Sequence, residues 1–452
     1  METQQPINKE IHDLVYTVSP GGCLRGEIRV PGDKSISHRS IMLGSLAEGT
    51  TTVEGFLEGE DSLATLQAFR DMSVVIDGPT NGRVIIKGVG SNGLQASSKP
   101  LYLGNSGTSM RLLAGLLAGQ SFSSVLTGDS SLSKRPMKRV ADPLRSMGAN
   151  ITLQAGGLAP IEITPAELHP ITYVMPVASA QVKSSLLLAS LYMSGETMIT
   201  EPAPCRDHTE RMLRGFSYPI QSDGNVVRIH GGGKLRACHI NIPADISSAA
   251  FFMVGASICP GADLLLKHVG INPTRIGVIN ILRQMGGNLE FLREYEAGGE
   301  PVADIRVRYA PLRGIRISEA QVPLAIDEFP VLFIAAACAD GETILSGAEE
   351  LRVKESDRIK TMADGLAILG VDHEVKSDGI IIQGKGRGGL LGKGVINSHG
   401  DHRIAMAFTM AALRASGSIQ IKDCNNVATS FPGFVSLARA SGIGLHESRQ
   451  AD

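Results

Sequence analysis

The residues best suited to chemistry sit in short polar runs, each just ahead of an apolar stretch. The first is Pro31-Gly32-Asp33-Lys34-Ser35-Ile36-Ser37-His38-Arg39-Ser40, between a β-like run, Gly26 to Val30, and the apolar run Ile41 to Ala47. That order reads as strand, tight turn and helix start. Free backbone N–H groups at a helix start carry partial positive charge. Lys34 and Arg39 add full charges and Ser35 a hydroxyl, so the stretch suits a phosphate or a carboxylate. An ordinary capped helix start fits the same residues equally well. The glycine–lysine spacing of the ATP-type phosphate loop is missing.

Five more runs have this character. In Leu103-Gly104-Asn105-Ser106-Gly107-Thr108-Ser109-Met110-Arg111, two glycines allow a ligand to approach the backbone. With Arg135 soon after, the run would cradle a small anion, although glycine turns before helices are common. Ser179-Ala180-Gln181-Val182-Lys183 offers hydroxyl, amide and ammonium at a helix start. By itself it reads more simply as a serine cap beside a solvated lysine. Asp327-Glu328 lies between two apolar runs, as a helix cap or as a catalytic carboxylate. The run that follows favours catalysis. Lys354-Glu355-Ser356-Asp357-Arg358 is either a solvated charged face or a general acid, Glu355, held among substrate-binding cations. His399-Gly400-Asp401-His402-Arg403 lacks partners at metal-ligand spacing, and Arg403 reads better as an anion fork.

These runs need scaffolding, and the chain repeats one unit to supply it. A β-like run leads to a polar cluster, an apolar helix closing near glycine, and another β-like run. The helix segments are Asp33 to Gly49, Asn105 to Gly119, Ser179 to Gly195, Asp245 to Gly261, Ile326 to Gly341 and Gly400 to Gly417. The closing glycines recur at spacings of roughly 65–80 residues and read as C-terminal caps. Each copy has a second helix with a charged or Pro-containing start, and the unit reads β-α-β-α-β-β. The first β-like run, Leu14 to Val18, stands outside any copy; the sixth copy lacks a strand, so the two should pair. Six units packed as two groups of three would aim helix N-termini into one cleft. A solenoid would explain the repeat as stacking alone, but it would also repeat the polar residues, which differ here.

At 452 residues the chain exceeds one ordinary core and predicts two domains of about 200 residues each. Its 43 basic and 45 acidic residues nearly balance, which argues against bulk nucleic-acid binding and confines any anion site to local charge. The six cysteines are scattered and read as buried thiols of a reducing compartment. Met1 to Val15 has no continuous apolar segment, so no signal peptide is expected. Apolar runs such as Phe329 to Ala339 are too short to span a bilayer. The expectation is a cytoplasmic protein with no membrane segment.

Taken together the runs resemble the enolpyruvyl transferases, most closely the branch whose acceptor is shikimate 3-phosphate. The resemblance covers about Gly26 to Phe434. It rests on Pro31 to Arg39, Leu103 to Thr108, Lys134-Arg135-Pro136-Met137, Ser179 to Ser184, Arg206-Asp207-His208-Thr209-Glu210, Ile326 to Pro330, Arg352 to Arg358 and Asp401 to Met406. It implies an α/β fold, a two-domain inside-out barrel with three β-α-β-α-β-β units per domain and the active site in the interdomain cleft. Residues 31–243 would form the shikimate 3-phosphate side. Residues 1–30 with 244–452 would carry the acid–base groups and part of the phosphoenolpyruvate site. Lys34, Ser35, Arg39, Ser179, Ala180, Gln181, Arg206, Asp327 and Lys354 are then implied shikimate 3-phosphate contacts. Lys34, Gly107, Arg135, Gln181, Arg358 and Arg403 are implied phosphoenolpyruvate contacts. Asp327 would be the base, Glu355 the carbon acid–base group and Lys34 a further catalytic residue.

The resemblance implies no metal and no organic cofactor, two small-molecule substrates, no nucleic acid or membrane partner, and a monomer. The Ser-Ala-Gln and Arg-Asp-His-Thr-Glu runs resemble the family's divergent class II branch. Thr429 stands where many members carry lysine. The rival within the family, which uses UDP-N-acetylglucosamine, has a loop cysteine; here none lies between Cys23 and Cys205. The rival of another class is a non-catalytic anion-binding scaffold, which would need neither Asp327 nor Glu355.

Overall fold

The computed structural model describes residues 13–450. The expectation about a leader therefore falls mostly outside the described residues. The repeat appears as six sheets. In sequence order each unit runs strand 1, helix, strand 2, helix, strand 3, strand 4, and the spatial order is 1-2-4-3. The sheet built on Leu101–Tyr102, Ser124–Thr127, Leu158–Thr164 and Asn150–Gln154 shows the rule: its first pair is parallel and the others antiparallel. A right-handed crossover through a helix is the usual way to join parallel neighbours.

The chain ends meet as the sequence requires. Asp13–Val18 pairs antiparallel with both Ile419–Lys422 and Leu445–Gln450, filling the fourth-strand position of the last unit. The fifth unit shows only three named strands, Asp340–Leu345, His373–Val375 and Ile380–Lys385. Its first strand is reduced to two parallel bridges, Arg313 to Asp340 and Arg316 to Ile344.

Two units trade their first strands. Arg25–Ile28 precedes the helix Lys34–Leu46 in sequence, yet it pairs with Asp263–Gly270. His239–Asn241 precedes the helix Ile246–Ile258, yet it pairs with Glu48–Glu54. The buried apolar residues accordingly form two clusters. One runs from Ile36 to Ile242; the other takes Tyr16 to Val30 and then Ala244 to Leu445. The first helices of the units are the cores of these bodies. All thirteen residues of Ile246–Ile258 and all ten of Phe329–Cys338 are buried, so the apolar run at 329 is a core helix.

Two expectations need correction. The glycines closing the first helices are mostly not caps. Gly49, Gly195, Gly261 and Gly341 have φ of 108°, 106°, 80° and 89°, but they lie beyond helix ends at Ala47, Leu191, Cys259 and Ala339. They serve the turn into the next strand, where the left-handed backbone favours glycine. Left-handed caps occur instead on second helices, at Gly148, Gly286 and Gly370. The thiols are also not uniformly buried, because Cys23 and Cys238 lie in loops and are only partly buried.

Candidate active site

The helix starts that the sequence singled out carry the site. Asp33, Ser106, Ser179, Asp245, Asp357 and Asp401 each cap a helix by accepting a hydrogen bond from its backbone. The residues that follow are the first of their helices: Lys34, Gly107, Ala180, Arg358 and His402. Capping therefore fixes the orientation of each site residue at the positive end of a helix.

The most connected group spans the two bodies. Arg358, 1% exposed, places Nε 2.8 Å from Asp401, Nη2 2.5 Å from Glu355 and Nη1 3.4 Å from Asp327. Asp327 also receives Arg206 from the other body at 2.5 Å. Arg403 donates to the Asp327 carbonyl at 3.0 Å, with Nη2 3.8 Å from its carboxylate. Arg135 crosses the cleft to within 3.7 Å of Glu355 and is steadied by Asn105 at 2.5 Å. One chain of ion pairs thus joins Arg206, Asp327, Arg358, Glu355 and Arg135.

Burial alone would raise both carboxylates toward the neutral form. At Asp327 the charges of Arg206, Arg403, Lys354 and Arg358 overrule burial and hold the carboxyl well below its usual range. At Glu355 burial is overruled by Arg358 and Arg135. Both groups are therefore ionised at rest. Burial lowers the Lys354 ammonium, and Asp327 and Glu350 oppose that shift. Burial, with Arg403, pushes His402 down to about 3, so its ring is neutral.

Gln181 and Gly107 sit beside this group. Gln181 accepts from Arg111 at 2.7 Å and donates to Thr108 at 3.1 Å. A Cβ on Gly107 would lie 2.9 Å from Arg111 Nη1 and 3.3 Å from Arg135 Nη1, so glycine leaves room between two guanidinium groups. Ser179 caps through Val182 at 3.4 Å, with Ala180 next to it at the rim.

Lys34 has direct partners other than the Asp327 group. Lys34 Nζ pairs with Asp61 and donates to Ser430 of the other body at 2.9 Å. Ser35 offers its carbonyl to Arg39 at 2.9 Å. Arg39 is buried, with further bonds to Thr209 at 2.7 Å and Ser184 at 2.8 Å. It braces Ser35 from behind. Lys183 contradicts both sequence readings, as a phosphate contact and as a solvated lysine. It is 1% exposed and pairs inward with Glu201 at 2.8 Å and Glu210 at 2.6 Å, since its helix buries that face.

The sequence reading missed Arg111, Asp61, Asn105 and Asp401 as site residues. Arg111 had a signal, because it lies one helical turn after Gly107. Asp61 and Asn105 act on cations far away in sequence and had none.

This architecture is shared. The enolpyruvyl transferase NikO from Streptomyces tendae aligns with a TM-score of 0.78 at 16% identity, covering 97% of this chain and 99% of that one. That likeness defines the fold. The family model described as EPSP synthase (3-phosphoshikimate 1-carboxyvinyltransferase) matches residues 18–437, and the chain belongs to that family. The 3-phosphoshikimate 1-carboxyvinyltransferase of Methylococcus capsulatus is 64% identical over 437 residues, 96% of this chain and 99% of that protein. The protein of the same name from Nitrosococcus oceani is 62% identical over 447 residues, 98% of this chain and 100% of that protein. A solved EPSP synthase from Acinetobacter baumannii is 59% identical, with a TM-score of 0.88, covering 96% of this chain and 100% of that one.

Proposed function

We propose that the chain transfers the enolpyruvyl group of phosphoenolpyruvate to the 5-hydroxyl of shikimate 3-phosphate and releases phosphate. The observation that carries this reading is the ion-pair chain from Arg206 to Arg135, which brings two ionised carboxylates and the cations for anionic substrates into one interbody cleft. The 5-hydroxyl adds to carbon 2 while carbon 3 is protonated, and the tetrahedral intermediate then loses phosphate together with a proton from carbon 3. Asp327, near Lys354, takes the hydroxyl proton, and Glu355 handles the proton at carbon 3. Arg135, Arg358, Arg403, Gln181 and the space at Gly107 receive phosphoenolpyruvate. Ser35, Ser179, Ala180, Gln181, Arg206 and Lys354 receive shikimate 3-phosphate, with Arg39 behind Ser35.

Residues 31–243 serve mainly the acceptor, and the rest supplies the acid–base pair. Each chain holds a full set of these groups, which supports action as a monomer. Both substrates carry several charges and do not cross a bilayer unaided, which supports a cytoplasmic site of action. Among the described residues no helix is long and apolar enough to cross a membrane.

The deciding assay is phosphate release with phosphoenolpyruvate, run with shikimate 3-phosphate and separately with UDP-N-acetylglucosamine. Release with the first acceptor alone is expected. Release with neither overturns the enzyme reading, and release with the second moves the chain to the rival branch.

Lys34 gives a separate test. Its ammonium touches Asp61 of one body and Ser430 of the other, which supports a role shared by both substrates. Lys34→Ala should weaken both, by about tenfold or more each, as expected for lost charge-assisted contacts. Separate titrations with the two substrates check this, and loss of affinity for only one would correct the shared role.

A further inference from the structure

The two crossovers between the bodies are related in sequence as well as in space. Each reads proline, a small residue, aspartate and then a helix: Pro31-Gly32-Asp33 and Pro243-Ala244-Asp245. They lie antiparallel, with Gly32 opposite Ala244. The Asp33 N–H donates to Pro243 at 2.8 Å and the Asp245 N–H to Pro31 at 2.9 Å. Asp33 caps the helix Lys34–Leu46 through Ile36 at 2.9 Å, and Asp245 caps Ile246–Ile258 through Ser247 at 2.8 Å. Capping turns both carboxylates inward, where they are 4% and 6% exposed. Two buried carboxylates sharing a site repel, and one takes up a proton unless a cation intervenes.

Arg275 is that cation, and it is 3% exposed. Its Nη1 bonds Asp33, while its Nη2 lies 3.1 Å from Asp245 and 2.6 Å from the Ser247 hydroxyl. Ser247 in turn donates a hydrogen bond from its hydroxyl to Glu328, whose carboxylate is 3.9 Å from Arg403. Asp245 also accepts the backbone N–H of Lys34 at 3.3 Å. One guanidinium therefore touches the helix start bearing Lys34 and the matching start in the other body, and reaches Glu328, beside Asp327, through the Ser247 hydroxyl.

We propose that Arg275 is a positioning residue that bolts the two crossovers together, so that Lys34 and the Asp327–Arg403 group meet in register across the cleft. The inference rests on the enolpyruvyl-transfer reading. The charged groups around the bolt are few. Asp33 faces Arg275, His208 and Glu300. Asp245 faces Arg275 and the amide of Lys34. Arg275 itself faces Asp33, Asp245, Glu328 and Asp327. Without the guanidinium, Asp33 and Asp245 repel whenever both are ionised, and that repulsion drives the two helix starts apart.

The sign of the pH effect follows. In Arg275→Gln, burial raises Asp33 without the guanidinium that opposes it, so the repulsion is present at high pH and relieved as pH falls. The variant should lose about 10²-fold in kcat/KM at the alkaline end of the neutral range, the usual cost of misplacing reacting groups by about 1 Å. It should recover activity relative to wild type on acidification. Arg275→Lys should rescue in part. Asp33→Asn in the Arg275→Gln background should restore most activity at neutral pH, because asparagine caps a helix as well as aspartate and removes the repulsion. Small-angle scattering should show wild type compacting with shikimate 3-phosphate and Arg275→Gln compacting less.

A loss equal in the single and double variants and flat with pH overturns the proposal, as does full activity in Arg275→Gln. If Arg275→Gln does not fold, the double variant decides: folded and active supports the bolt, unfolded or inactive refutes it. Absence of turnover in wild type would refute the reaction alone, since the scattering comparison reads the hinge without turnover.

Discussion

Asp327→Asn and Glu355→Gln should each lower kcat by about 10² or more while substrate binding survives. Both replacements keep shape and hydrogen-bonding reach and remove only the charge and the exchangeable proton. Asp327 lies among Arg206, Arg358 and Arg403, so its neutralisation leaves more net positive charge facing anionic substrates. Affinity for shikimate 3-phosphate should hold or rise. Direct binding by calorimetry and steady-state phosphate release separate the two effects. Unchanged turnover in both variants would overturn their assignment as the acid–base groups.

The two carboxylates start alike and must act differently. Each is ionised at rest, held down by arginines against the effect of burial. Asp327 is thus ready as a base. Glu355 is salt-bridged to Arg358 and Arg135 and has no proton to give. In the proposed reaction phosphoenolpyruvate supplies the change: its phosphate and carboxylate would compete for the same two guanidinium groups and add negative charge beside Glu355. Both effects raise the glutamate's pKa and favour its protonation. The enzyme then gains its carbon acid only when the substrate that needs it has arrived.

The repeated unit was legible because its period is written in hydrophobic runs and helix starts. The pairing of Asp13–Val18 with the last unit followed from a missing strand and an orphan one. Local signals carried Lys34, Gly107, Arg358 and Arg403, since each opens or nearly opens a helix. What stayed hidden was long-range pairing. Nothing near Arg25–Ile28 says that it joins a sheet more than two hundred residues away. Nothing near Lys183 says that its partners are Glu201 and Glu210, and so the residue read as a surface contact. Arg275 likewise lies just ahead of the second helix Gly277–Gln284, with no local sign of its partners. Side-chain direction on a helix that is buried nearly all round cannot be read from polarity alone.

Arg358→Met should destabilise the protein by about 3–5 kcal/mol at neutral pH, the usual cost of stranding a buried charge by removing its partner. Arg358 is 1% exposed and serves Asp401, Glu355 and Asp327 at once. Asp401 is fully buried; without Arg358 its carboxylate keeps the Ser356 hydroxyl at 3.1 Å and the Arg403 backbone N–H at 2.9 Å. Neither neutral donor replaces a full charge.

The pH dependence makes this sharper than a simple loss of stability. In wild type, Asp327 and Glu355 have depressed pKa values in the folded state, below ordinary values of 3.8 and 4.5. Their contribution is complete above those values and is lost as pH falls below them. In Arg358→Met, burial acts on Glu355 with less opposition, so its folded pKa rises from its depressed wild-type position. The variant's deficit is then largest at high pH and shrinks as pH falls through the raised value. Urea unfolding from mildly acidic to neutral pH should show the variant gaining stability relative to wild type on acidification. Arg358→Lys should fall between them, because a point charge cannot span three carboxylates as a planar fork does. A variant that tracks wild type at every pH would show that Arg358 is needed only for substrate, and the resting carboxylates would need another explanation for their charge.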